Sequence, residues 1–166
     1  MEEAVPDYPV HLFFTQEGYF KKITPQSLRM SGEQKLKEGD KITEQIEATN
    51  NTELLFFTNQ ATVYKTRANE FSDTKASVLG DYVAAKLGME EGEAAIYMAA
   101  TKAYEGFMIF IFENGKIAKV EMNTYATKTN RKKLVGAYSD KSPLFAMFYC
   151  KQECEILLTT TEGRML

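Results

Sequence analysis

The residues most able to do chemistry here are cations. Lys22, Lys65 and Lys119 recur at one position of an internal repeat, and Lys128, Arg131, Lys132 and Lys133 crowd a single loop. Ammonium and guanidinium groups interleaved with small polar side chains, as at Thr129 and Asn130, are usual partners of phosphate oxygens. The same residues have blander uses. A repeated Lys on an edge strand blocks edge-to-edge aggregation, and a short basic loop is commonly solvated surface. Catalysis finds little support. His11 is the single histidine, and no nucleophile and base can be assembled around it. No Gly-rich phosphate loop of the Walker or dinucleotide type is present. Cys150 and Cys154 form a C-x-x-x-C pair, but a zinc site wants four ligands. They read as two reduced, structural thiols, and the expectation is no catalytic residue, no metal and no cofactor.

The elements that must position the cations come from a repeated phrase. Leu12-Phe13-Phe14-Thr15-Gln16-Glu17-Gly18-Tyr19-Phe20-Lys21-Lys22-Ile23 is its clearest copy. It returns at Leu55 to Lys65, at Ile111 to Val120, and at Leu158 to Leu166. Each copy is an apolar run, a short polar turn and a second run, which reads as a β-hairpin. The turn positions Gly18, Ala61, Gly115 and Gly163 are separated by 43, 54 and 48 residues. Multi-strand periods of that length indicate propeller-like arrays. Behind each hairpin comes a long polar loop, then a further strand: Asp40 to Ala48, Ala94 to Thr101 and Leu144 to Tyr149. Another strand is expected inside the loops, for instance within Lys75 to Val83 or Leu134 to Tyr138. The fold expected is therefore all-β, with antiparallel four-stranded blades, about three complete and a partial fourth. Residues 1–9 read as a linker, and the units as 10–52, 53–106, 107–154 and 155–166.

Charge is unevenly spread. The formal net charge is −3, made of −4 up to Phe57, −2 from Thr58 to Gly106 and +3 from Phe107 onward. Cations gathered in one portion can mark a face for a polyanion. No apolar run approaches a membrane span, no signal peptide opens the chain, and a cytoplasmic location with no membrane partner is expected.

The phrases Phe14 to Ile23 and Phe57 to Lys65, with Tyr82 to Met89 and Lys128 to Leu144, resemble the C-terminal repeats of the A subunit of bacterial type IIA topoisomerases, the family of DNA gyrase and topoisomerase IV. The resemblance runs from Val10 to Leu166. It implies a β-pinwheel, a propeller-like array in which neighbouring blades exchange a strand and a basic outer rim holds duplex DNA. It makes Lys22, Lys65, Lys119, Lys128, Arg131, Lys132 and Lys133 the candidate DNA contacts. The partners it implies are duplex DNA, the A subunit's catalytic core and the ATP-hydrolysing B subunit. The family's catalytic tyrosine lies outside this stretch, so no tyrosine here inherits that role. The first loop, Arg29 to Lys35, lacks the Gln-Arg-Arg-Gly-Gly-Lys-Gly-type box of gyrase, which leans the resemblance toward topoisomerase IV or toward a gyrase whose box lies elsewhere. The rival expectation is a propeller-like module that binds a partner protein through its rim.

Overall fold

The computed structural model describes residues 6–101, 103–126, 133–139 and 141–150. The fourth copy of the repeat, at 155–166, lies outside the described residues, as do Lys128, Arg131, Lys132 and Cys154.

The predicted hairpins form. Strands β1 (Pro9–Thr15) and β2 (Tyr19–Ile23), β4 (Glu53–Thr58) and β5 (Val63–Arg67), and β8 (Phe107–Phe112) and β9 (Ile117–Glu121) make three antiparallel pairs. Their runs of Phe, Leu, Ile and Val suit a pleated surface packed on both sides. The tight turns demand a left-handed residue, and Gly18 and Gly115 supply it at φ 90° and 86°. Ala61 stands at the same repeat position and takes φ 55°, so the turn geometry persists without its glycine.

The further strands also form: β3 (Ile42–Thr49), β7 (Ala95–Thr101) and β11 (Leu144–Cys150). Each pairs with the first strand of its own hairpin. In the loops, β6 (Asp81–Tyr82) and β10 (Lys133–Leu134) pair backwards with the preceding hairpins, at β2 and β5. The sheet orders are β3-β1-β2-β6, β10-β5-β4-β7 and β11-β8-β9. Strand exchange from one unit to the sheet before it is the defining feature of a pinwheel. Each hairpin is also followed by a short helical turn. These are α1 (Pro25–Met30) and the 3-10 turns Ala68–Glu70 and Met122–Tyr125, and their first residues are 43 and 54 positions apart. Thr24 caps α1 by accepting the Ser27 amide, and Pro25 opens it.

The sheets stack through alternate side chains of their strands. Val10, Leu12, Phe14 and Phe20 of the first sheet meet Leu54, Phe56, Met98 and Ala100 of the second. Leu55, Phe57, Val63 and Ala99, on the other face of the second sheet, meet Met108, Phe110 and Phe112 of the third. β4 is thus buried on both sides, as its unbroken apolar run requires. Aromatic contacts cross both seams, with Phe14 and Phe56 centroids at 5.8 Å and Phe57 and Phe110 at 5.9 Å. The outer face of the first sheet, with Phe13, Ile23 and Ile42, is covered by Leu28 and Ala76.

One expectation fails. Cys150 is disulfide-bonded where the sequence reading expects a reduced thiol. That reading rests on cellular compartment alone. Among the described residues no group of three or more His, Cys, Asp or Glu is placed to hold a metal ion. Among them, too, no helix is long and apolar enough to cross a membrane.

Candidate functional site

The three repeated lysines occupy one structural position. Lys22 lies opposite Leu12, Lys65 opposite Leu55 and Lys119 opposite Ile109. Lys22 and Lys65 therefore stand on the face of their sheet that looks toward the following unit, and Lys119 on the face of the third sheet turned away from the second. Their surroundings differ. Lys22 is 3% exposed. Its Nζ donates to Asn50 Oδ1 at 2.6 Å and to the Ala68 carbonyl at 3.1 Å, and it pairs with the Asp73 carboxylate at 3.3 Å. Lys65 is half-buried, and its Nζ donates to the Tyr125 carbonyl at 2.8 Å. Burial pulls the Lys65 ammonium below its ordinary pKa, against the pull of Glu53. Lys119 is exposed, with Nζ 4.1 Å from the centroid of the Phe107 ring.

The pattern has a common cause. Ala68 and Tyr125 belong to the 3-10 turns that follow the second and third hairpins. A carbonyl of each turn accepts the lysine of the preceding unit, and at Ala68 it does so beside the Phe71 amide, which it also accepts at 3.0 Å. At Lys22 and Lys65 the repeated lysine is thus a tie between neighbouring blades. This differs from both sequence readings, a row facing solvent and a set of edge gatekeepers. At Lys22 the ammonium is turned inward, away from any phosphate. A main-chain acceptor leaves no mark in composition. The only signal is the recurring small or apolar residue three places before an aromatic, at Ala68 and Phe71 and at Met122 and Tyr125.

Of the basic loop, Lys133 is described. It is exposed and lies opposite Tyr64 in β5. Its Nζ is 3.6 Å from a Glu90 carboxylate oxygen and 5.6 Å from the Tyr64 ring centroid. Contact with the Tyr64 hydroxyl raises its pKa, so it stays charged. Pairing of β10 with β5 sets this end of the loop on the edge of the second sheet. Lys119 and Lys133 are therefore the two sequence-predicted cations that the described residues place at the surface.

Sequence reading missed Lys21. It is 1% exposed, on the opposite face of β2 from Lys22, and donates to Gln34 Oε1, the Lys35 carbonyl and the Ala76 carbonyl at 2.9 to 3.0 Å. Burial lowers its pKa. His11 is half-buried between Ile23 and Glu47 in register, and its Nδ1 has no hydrogen-bond partner among the described residues.

No family model matches the chain. The A subunit of topoisomerase IV from Staphylococcus epidermidis is 26% identical over 99% of this chain and 21% of its own length. The A subunit of DNA gyrase from a Nocardioides species is 24% identical over 99% of this chain and 19% of its own. The chain thus spans about a fifth of the length of these relatives. Among solved structures, the C-terminal domain of DNA topoisomerase IV superposes with a TM-score of 0.76 at 22% identity, over 89% of this chain and 47% of that one. The chain is a homologue, over nearly all its length, of the A subunits of topoisomerase IV and DNA gyrase, and it has the β-pinwheel fold of their C-terminal domains.

Proposed function

We propose that this chain is the part of a type IIA topoisomerase A subunit that holds duplex DNA, guiding the segment on which the whole enzyme acts. The observation that carries the reading is homology to the A subunit over 99% of the chain, joined to a pinwheel fold. In this reading the units run 10–52, 53–106, 107–154 and onward from 155. Lys119, Lys128, Arg131, Lys132 and Lys133 face phosphate, while Lys22 and Lys65 keep the blades that carry them in register. Contacts of this kind are to backbone phosphates and carry no base preference. The pinwheel does no chemistry itself. Strand cleavage falls to the A subunit's catalytic core and ATP hydrolysis to the B subunit, in a cytoplasmic enzyme.

The test is duplex affinity measured against salt. Neutralised phosphates appear as a slope of about −0.9 per contact in log affinity against log salt. Changing Lys128, Arg131, Lys132 and Lys133 together to Glu should flatten that slope by roughly three to four contacts. An unchanged slope overturns the assignment of these residues, and no slope in the parent chain overturns DNA holding. A rim for a partner protein is the second reading. It is favoured by Phe145 and Val135, which are 73% and 75% exposed, and it predicts a salt-independent chain.

A further inference from the structure

The outer faces of the first and third sheets are finished differently. On the first, Phe13 and Ile23 lie under Leu28 of α1 and Ala76. On the third, the register puts Ile109, Ile111, Ile117 and Phe148 on the side turned away from the second sheet. Ile109, at the centre of this face, is 1% exposed, yet it belongs to the core of neither seam. Ile117, at its edge, is 44% exposed. The face is apolar, and the second sheet does not supply its cover.

The repeat says what fits there. Counted from the turn residues Gly18, Ala61 and Gly115, Leu12, Leu55 and Ile109 are equivalent, as are Phe14, Phe57 and Ile111, and Phe20, Val63 and Ile117. In the first two sheets these side chains are exposed by 1% or less, each packed toward the sheet that follows. Their cover is the first strand of the next hairpin, through Leu54 and Phe56 on the first sheet and Met108 and Phe110 on the second. Those residues stand seven and five places before their turn residue, and in the fourth copy, whose turn residue is Gly163, the same places hold Ile156 and Leu158. The link is of the right length too. β3 ends at Thr49 and β4 begins at Glu53, β7 ends at Thr101 and β8 begins at Phe107. β11 ends at Cys150, and the apolar run of the fourth copy opens at Ile156.

We propose that the outer face of the third sheet is the docking surface of this chain's own residues 155–166, with Ile156 and Leu158 turned onto Ile109 and Ile111, and Leu157 turned away. Side chains of an extended segment alternate between its faces, so only that parity fits. Phe14 with Phe56 and Phe57 with Phe110 mark the equivalent contact in the two existing seams. A second copy of the chain is a poorer occupant, because its own three hairpins are engaged in its seams and its first-sheet face is closed by Leu28 and Ala76. The placement extends the division of units given above and stands apart from DNA holding, since no nucleic acid enters its test.

Methyl-labelled 166-residue chain should give nuclear Overhauser contacts from Leu158 to Ile111 and from Ile156 to Ile109, within one molecule. Leu158→Asp buries a carboxylate in the seam and should lower the urea midpoint and raise binding of an apolar dye, while Leu157→Asp should change neither. The proposal is overturned if those contacts are missing, if they appear only between differently labelled molecules, or if Leu157→Asp and Leu158→Asp act alike. Should Leu158→Asp unfold the chain, the contacts in the parent chain decide the matter alone.

Discussion

The ammonium of Lys22 donates to the carbonyl of Ala68 at 3.1 Å, joining the second strand of one blade to the first turn beyond the next hairpin. A buried lysine held this way is structural, whereas Lys119 at the same repeat position is exposed. Their alanine variants should therefore part company. Lys22→Ala leaves Asn50 Oδ1 unmet and the Ala68 carbonyl with only the Phe71 amide, and should cost about 2 kcal/mol. Asp73, whose side chain is 43% exposed, adds little to that. Lys119→Ala should move stability by less than about 0.5 kcal/mol. Urea midpoints with unchanged slopes check both, and equal losses would contradict the tie. In duplex binding the order should reverse, with Lys119→Ala reducing the salt slope by about one contact.

Gly80 precedes the exchanged strand β6 and has φ +92°. A Cβ there would lie 2.4 Å from the Phe20 carbonyl oxygen and 2.7 Å from Lys21 Cγ. The first of these is backbone and cannot yield without displacing β6 from β2. Gly39 has a similar φ of +81°, but a Cβ there would meet nothing within 4 Å. Gly39→Ala should thus show only the left-handed strain, about 1 kcal/mol, and Gly80→Ala should cost at least twice as much. Hydrogen exchange would show the difference, since only Gly80→Ala should expose the amides joining β2 to β6.

Lys21 is a buried cation whose three partners are all neutral oxygens. Lys21→Met removes the desolvated charge but leaves Gln34 Oε1 and the Lys35 carbonyl unmet, while the Ala76 carbonyl keeps the Lys35 amide, for a net loss of about 2 kcal/mol. The pH dependence distinguishes this from simple repacking. Burial sets the folded pKa below the ordinary 10.5, so between those two values the unfolded chain holds more protons. Lys21 therefore makes stability rise with pH across that window. Chemical unfolding at alkaline pH should show a smaller rise in Lys21→Met than in the parent chain.

The hairpins are legible in the sequence because their turn chemistry and apolar runs are local. The repeat survives even at Ala61, where the left-handed turn lacks glycine. The exchanged strands are only half legible. Asp81–Tyr82 and Lys133–Leu134 are two residues each, too short to display a period, and their partners belong to the preceding hairpin. The lysines are legible as a repeated position but not in their role. Lys is rarely buried, and what buries Lys22 is a carbonyl 46 residues away, an atom every residue has.

Glu93 offers a test of the seam at acid pH. It is 5% exposed and accepts the hydroxyls of Thr58 and Tyr64, both at 2.8 Å, and the Glu90 amide at 3.1 Å. Burial pushes its pKa up, but the hydrogen bonds from Thr58, Glu90 and Tyr64, with the charge of Lys133, outweigh that and hold it below 4.5. A carboxyl depressed by folding contributes stability that is complete above its unfolded pKa and is lost as pH falls through the folded value. Stability of the parent chain should therefore fall as pH drops below about 4.5. Glu93→Gln keeps one oxygen acceptor but no charge, and should cost about 1 to 2 kcal/mol at neutral pH. Below the folded pKa the parent and variant should converge. Urea unfolding across this range decides the point, and a variant whose deficit stays constant into acid would show that the Glu93 carboxylate does not hold Thr58 to Tyr64.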